Sequence, residues 1–226
     1  MKGLLFTPEM FRAVLMGRKT QTRRVVPGKL KQYEEGWSLN GKAPRTVPAD
    51  WSPYQPGETV CMLTTWSVAK TYDEFAPCVV GDLITHGGGD RRLWLSGIAG
   101  KPEWAGKSRP GRFMPNSLRP LMPKVKIVDV DVQRVRQISE ADAIAEGVAP
   151  QYRVESAIGS AIIESHVAPP VAGCVVTGLG ELIKVTPLGR KPFRSLWNSI
   201  NEKRGASWAQ NPQVFVIKFS REVANG

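Results

Sequence analysis

The densest run of chemically capable side chains is Arg18-Lys19-Thr20-Gln21-Thr22-Arg23-Arg24, directly after Gly17. Guanidinium groups at this density can clamp a phosphate through paired hydrogen bonds or stack on a base. Trp66, Trp197 and Trp208 add aromatic faces on which bases could stack, and Trp66 is the best placed because it follows a strand. Trp197 sits on an amphipathic helical segment, where core packing is the ordinary use of such a residue. Other chemistries are poorly provided for. His86, His166, Cys61, Cys78 and Cys174 have no metal-ligand spacing, so neither a metal site nor a cofactor is expected. Neither histidine lies in a setting that suggests a Ser-His-Asp mechanism. An odd number of scattered cysteines argues against a disulfide framework and for a reducing cytoplasm.

Charge points the same way as the basic run. The 226 residues include 31 Lys and Arg against 20 Asp and Glu, a formal net charge of +11. Polyanions are the usual partners of such a surface, because cations that neutralise phosphates release condensed counterions. Arg91, Arg92, Lys101, Lys107, Arg109 and Arg112 extend the basic character into a second region. A hydrophobic fraction of 42% is enough to bury a core. No apolar stretch is long enough to span a bilayer. Met1 to Phe6 reads as a strand leading to a helix start rather than as a signal peptide.

These residues must be positioned by short elements. Lys2 to Phe6 reads as a strand, followed by a helix that Thr7 caps and Pro8 opens, with Phe11, Val14 and Leu15 on its apolar face. Gly17 stops that helix, and Thr20 to Val26 alternates as a β-branched strand. Pro56-Gly57-Glu58 turns into a strand at Thr59 to Thr65. Val125, Ile127, Val130, Val132 and Val135 mark a long strand whose apolar phase slips near Asp129, as a bulge would cause. Ser139 caps a short helix ending at Gly147. Lys191 to Glu202 is an amphipathic helix with Phe193, Leu196, Trp197 and Ile200 on one face, and Val214 to Phe219 is a closing strand. The intervals at about 29–57, 67–115 and 148–189 read as insertions. Gly87-Gly88-Gly89 forms a tip in the second, and Pro169-Pro170 a break in the third. Many strands with three helices predict an α+β fold, a small β-barrel with helices packed at its ends, formed by one domain over 1–226.

Three blocks resemble a known family. Gly17 to Arg24 resembles the Gly-x-Lys-Thr-x-Thr-x-Arg signature of ASCH domains, which belong to the PUA-like superfamily. Ile138-Ser139-Glu140-Ala141-Asp142-Ala143 through Glu146-Gly147 resembles the short helix of that class. Phe193 to Asn201, with Arg204-Gly205, Trp208, Asn211-Pro212 and Val214 to Phe219, resembles the C-terminal block of ASCH-like proteins encoded by bacteriophages and prophages. The blocks occur in the family's order and cover roughly a third of the chain. Two places depart from the phage pattern. Leu63-Thr64-Thr65-Trp66 stands where that pattern carries Arg-Glu-Thr-Trp, and Met114-Pro115 leads into Asn116-Ser117-Leu118-Arg119.

The resemblance implies a PUA-like barrel that binds RNA, other single-stranded nucleic acid or a modified nucleobase, in the cytoplasm of a bacterial host. Arg18, Thr20, Arg23, Arg24 and Trp66 would line the binding cleft. An enzymatic alternative also follows, because some small bacterial ASCH proteins cleave N4-acetylcytidine. By motif match the catalytic group would be Lys19, Thr22 and Glu146. A ribonuclease, or a structural role in phage assembly, is a further alternative. In the hydrolytic scheme Lys19, its pKa lowered by burial or a neighbouring cation, takes the Thr22 proton, and Glu146 orients Lys19 or serves the leaving group. Lys19 and Thr22 are three apart, so on one continuous strand they would face opposite ways. The scheme therefore needs Lys19 in the turn after Gly17, with Thr20, Thr22 and Arg24 on one strand face. Read without the resemblance, the run is a solvated basic turn, Thr22 a β-branched strand residue and Glu146 a helix-end carboxylate.

Overall fold

The computed structural model describes residues 1–226 except 34–35, 43–44, 46–47, 88–89, 150, 157–158, 165–172, 177–181 and 223–226, with backbone alone over 154–185. Gly88, Gly89, His166 and the Pro169-Pro170 break thus lie outside the described residues. In chain order the elements are β1 (Gly3–Leu5), α1 (Pro8–Leu15), β2 (Gln21–Val25), β3 (Leu30–Tyr33), β4 (Gly36–Leu39), β5 (Thr59–Leu63), β6 (Trp66–Val68), α2 (Pro77–His86), β7 (Leu93–Leu95), β8 (Lys124–Arg134), α3 (Glu140–Ala145), β9 (Gln151–Ser156), β10 (Gly159–Glu164), β11 (Gly173–Val176), β12 (Leu182–Leu188), α4 (Arg190–Asn201) and β13 (Gln213–Arg221). The fold is mixed α and β, with strands outnumbering helices. No closed barrel is found among the described residues.

The chain divides into two compact units, each assembled from segments far apart in sequence. The first comprises Met1–Gly17, Tyr54–Asp129 and Phe219–Gly226. In it β1 runs parallel to β5, and β5 runs antiparallel to the start of β8 with Thr59 opposite Lys126. Gly57, at φ 87°, makes the turn into β5 that Pro56-Gly57-Glu58 predicts. Thr7 caps α1 by accepting a hydrogen bond from Met10 N, and Phe11 and Val14 are buried beneath it. Gly17, at φ 73°, ends the helix in the left-handed conformation that glycine adopts without a steric penalty. The interval 67–115 is more ordered than an insertion loop. It carries α2, which Pro77 opens and which buries Val80 and Ile84, and β7, which pairs with β6.

The second unit comprises Arg18–Pro53 and Val130–Lys218. Here β13 pairs antiparallel with β2, in a register that sets Val214 opposite Val25, Ile217 opposite Thr22 and Lys218 opposite Gln21. The alternation of Thr20 to Val26 and of Val125 to Val135 offers either strand as a neighbour for the closing strand, and β13 lies between β8 and β2 in the sheet order. A core of Val135, Ile138, Ala143, Val148, Phe193, Trp197, Trp208, Val214 and Val216 joins α3 and α4 to these strands. Trp197 donates its Nε1 proton to Ala206 O at 2.8 Å, so its one polar atom is satisfied inside that core. The interval 29–57 is a hairpin, β3 with β4, rather than a loop. The interval 148–189, read as an insertion, carries among its described residues the strands β10-β9-β12-β11, in that order and all antiparallel.

The strand β8 alternates as expected until its phase shifts. Val125 and Ile127 are buried, Val128 is exposed, and burial resumes at Val130. The shift falls where the chain leaves the first unit for the second, at Asp129–Val130. An odd step in an alternating pattern moves the apolar positions to the other side of the strand, as at a bulge.

Candidate functional site

The basic run folds in the second unit, and its alternate residues have different fates. Residues 18–20 are irregular, and β2 begins at Gln21. Thr20 N donates to Ala145 O at 2.9 Å, which fixes the start of the strand against the end of α3. From there three side chains reach α3. Lys19 Nζ donates to Glu146 Oε2 at 2.9 Å and to Glu146 O at 2.7 Å. Gln21 Nε2 donates to Asp142 O at 2.8 Å. Arg23 Nη1 donates to Glu146 Oε1 at 2.9 Å, while its Nη2 lies 3.7 Å from Asp142 Oδ2 and 3.4 Å from Gln133 Oε1. Period-two alternation explains why Gln21 and Arg23 share the helix-facing side of β2.

Glu146 is delivered by the local structure of α3. Ser139 accepts from Asp142 N and caps the helix, and Glu146 is its last capping residue. Gly147 follows at φ 89°, a conformation in which a side-chain Cβ is strained. The carboxylate thus sits at a defined helix end, facing β2. Side-chain exposure of Lys19, Arg23 and Glu146 is 3%, 1% and 5%. A buried carboxylate with a cation on each oxygen is the arrangement in which such charges are tolerated. The fit is imperfect for Arg23, whose Nε is buried without a hydrogen-bond partner. Its guanidinium lies 6.0 Å from the ring centre of Phe193, at the edge of the apolar core.

Burial pushes the Lys19 ammonium below its ordinary pKa of 10.5. Glu146 opposes this, while Arg24 and Arg23 reinforce it by repulsion. The lysine has therefore one property of a general base. Its Nζ, however, is already committed to two oxygens of Glu146, and no hydrogen bond joins it to Thr22.

The expected site is only partly assembled. Lys19 and Glu146 converge, as the resemblance implies, and Arg23 joins them. Thr22 lies between Gln21 and Arg23 on the strand, so it occupies the other face, buried and opposite Ile217. The predicted single constellation of Lys19, Thr22 and Glu146 is corrected to a pair plus Arg23, with Thr22 apart. Among the expected binding residues, Arg18 and Thr20 are exposed and Arg24 is half-buried. Arg23 is not a surface contact, because Glu146 consumes it. Trp66 is corrected as well. It belongs to the first unit, is 0% exposed, and packs against Arg109 with the guanidinium 5.4 Å from its ring centre. No face of that indole is open to a base.

The sequence reading did not anticipate Arg23, Gln21 or Asp142 as members of the α3-facing group. The period-two spacing of Gln21 and Arg23 was the available signal. No group of His, Cys, Asp and Glu able to hold a metal occurs among the described residues. No helix among them is long and apolar enough to cross a membrane. The chain matches no protein-family model, and neither a curated protein nor a solved structure is similar to it.

Proposed function

We propose that the protein binds nucleic acid, or a modified nucleobase within it, through a basic surface of the unit that carries the Arg18–Arg24 run. The observation behind this reading is the division of labour within the run. Glu146 holds Lys19 and Arg23 inside the unit, whereas Arg18 is exposed, in a chain of net charge +11. A buried ionic group that fixes the turn would hold outward cations at set positions, as recognition of a phosphate backbone requires. The resemblance to ASCH domains supports the same reading, and with it a PUA-like barrel as the finer description of the fold. The test is a salt titration of fluorescent single-stranded oligonucleotide anisotropy. Affinity should fall steeply as salt rises. Absence of binding at low salt overturns the proposal.

One observation favours a hydrolytic reading as the alternative. Lys19 is a buried lysine of lowered pKa bonded to a carboxylate, and a lowered pKa brings a lysine closer to service as a base. Its weakness is the placement of Thr22 on the opposite strand face. Incubation with N4-acetylcytidine, followed by chromatography for cytidine, separates the two readings. Turnover that is lost in both Lys19→Met and Thr22→Ala would favour the enzyme.

A further inference from the structure

The second unit carries a concentration of exposed cations on two adjacent elements. Arg134 caps a helical turn at Val135–Gln137 that contains Arg136, and Arg190, Lys191 and Arg194 lie on the first turns of α4; all five are exposed. The two elements are tied together, because Arg190 Nη2 donates to Arg136 O at 3.0 Å. The turn is itself pinned by Asn211. Its Oδ1 accepts from Arg136 N at 3.0 Å, and its carbonyl accepts from Arg134 Nη1 at 3.2 Å. These cations therefore stand on a fixed base.

Their arrangement is costly for the fold alone. The first turn of α4 contains no acid, and cations at a helix N-terminus oppose its dipole. Arg190 and Arg194 are spaced i and i+4, which sets like charges side by side. The nearby acids are spent elsewhere. Glu140 Oε2 accepts from Gly189 N and Arg190 N at 2.6 and 2.8 Å, so the helix end is already capped. Asp131 accepts from Val132 N and Gln133 Nε2. Among the described residues, no ion pair reaches Arg136, Lys191 or Arg194.

We infer that this ridge is a further docking surface, on the same unit as the Arg18–Arg24 turn, for the phosphate backbone of a nucleic acid. The inference rests on the proposed nucleic-acid binding and extends its location. Side-chain charge carries it, since Glu140 already occupies the N–H groups of Gly189 and Arg190. An anionic membrane is the less suitable polyanion. Peripheral membrane helices insert large apolar side chains, and none of the exposed large hydrophobic residues lies in 134–136 or 190–194. The surface offers charge without base-reading aromatics, so binding should depend little on sequence.

The test compares the wild-type chain with the triple variant Arg136→Gln, Lys191→Gln, Arg194→Gln, using a fluorescein-labelled oligouridylate. Among the described residues none of the three side chains makes a hydrogen bond or ion pair, so the variant should melt at or above the wild-type temperature. Its affinity at low salt should fall at least about tenfold, and its log–log salt slope should flatten by about two, given roughly 0.7 per single-strand phosphate contact. A wild type that binds, with an unchanged triple variant and a loss on Arg18→Ala with Arg24→Ala, overturns the ridge and leaves nucleic-acid binding standing. A wild type that ignores the oligonucleotide overturns both. Binding to phosphatidylserine vesicles in preference to the oligonucleotide likewise overturns the assignment of partner.

Discussion

Lys19 and Arg23 hold the two oxygens of one carboxylate, Oε2 and Oε1 of Glu146, each at 2.9 Å. Removing the carboxylate strands two cations in a nearly dry environment. Breaking one side of a buried pair typically costs about 3–5 kcal/mol. Glu146→Gln should therefore lose stability on that order in urea denaturation, while conservative changes at exposed Arg18 lose almost none. A Glu146→Gln variant as stable as wild type would show that the cluster contributes little to holding β2 against α3.

The same cluster sets a pH dependence. Burial lowers the folded-state pKa of Lys19 below 10.5, its ordinary value. Between the two values the unfolded chain binds more protons than the folded chain, so unfolding free energy rises with pH. The Lys19 contribution is therefore least favourable below the folded pKa and improves as pH rises towards 10.5. Urea titrations over the alkaline range should show this slope in the wild type and a smaller one in Lys19→Met. Lysine side-chain NMR should place the Lys19 midpoint below that of the exposed lysines.

Arg23 is where the sequence was most misleading and the fold most informative. Four cations in seven residues read as a solvated turn, but alternation on β2 sends Arg23 inward. Nothing local announces its partner, because Glu146 lies more than a hundred residues away and arrives only when α3 docks. Periodic signals fared better. The caps at Thr7 and Ser139, the glycines at 17 and 57, the apolar face of α4 and the strand over Gln213–Arg221 follow from local stereochemistry. The helix α2 was missed although Pro77, Val80 and Ile84 carry its pattern, because the Gly87-Gly88-Gly89 run beside it reads as a loop tip. The sheet over 151–188 was missed because small residues weaken strand propensity, whereas pairing depends on partners distant in sequence.

Arg23→Ala should accordingly behave as a fold mutation. It loses the Glu146 bond and the contact with Phe193, and leaves Lys19 alone to answer the carboxylate. The expected result is a lower melting temperature with about 2–4 kcal/mol lost, a range typical of disrupted buried polar networks. The salt slope of oligonucleotide binding should stay unchanged at temperatures where the variant is folded. A stable variant with a flattened slope would return Arg23 to the binding surface.

Glu140 gives the last test, because it stands at the opposite end of α3 from Glu146 and has a different task. One of its oxygens accepts from both Gly189 N and Arg190 N, at the start of α4. It supplies the negative charge that a helix whose first turn bears Arg190 and Lys191 otherwise lacks. Glu140→Ala leaves those two N–H groups without their acceptor and exposes the dipole to unrelieved cations. Loss of such a cap costs about 1–2 kcal/mol. Because the same carboxylate also offsets charge on the adjacent ridge, Glu140→Ala should slightly tighten oligonucleotide binding while it lowers stability. Glu140→Gln, whose amide oxygen can still accept from both N–H groups but carries no charge, should recover part of the stability and keep the tighter binding. Chemical denaturation and anisotropy measured on the same two variants check both halves, and weaker binding by Glu140→Gln at unchanged stability would contradict the charge argument.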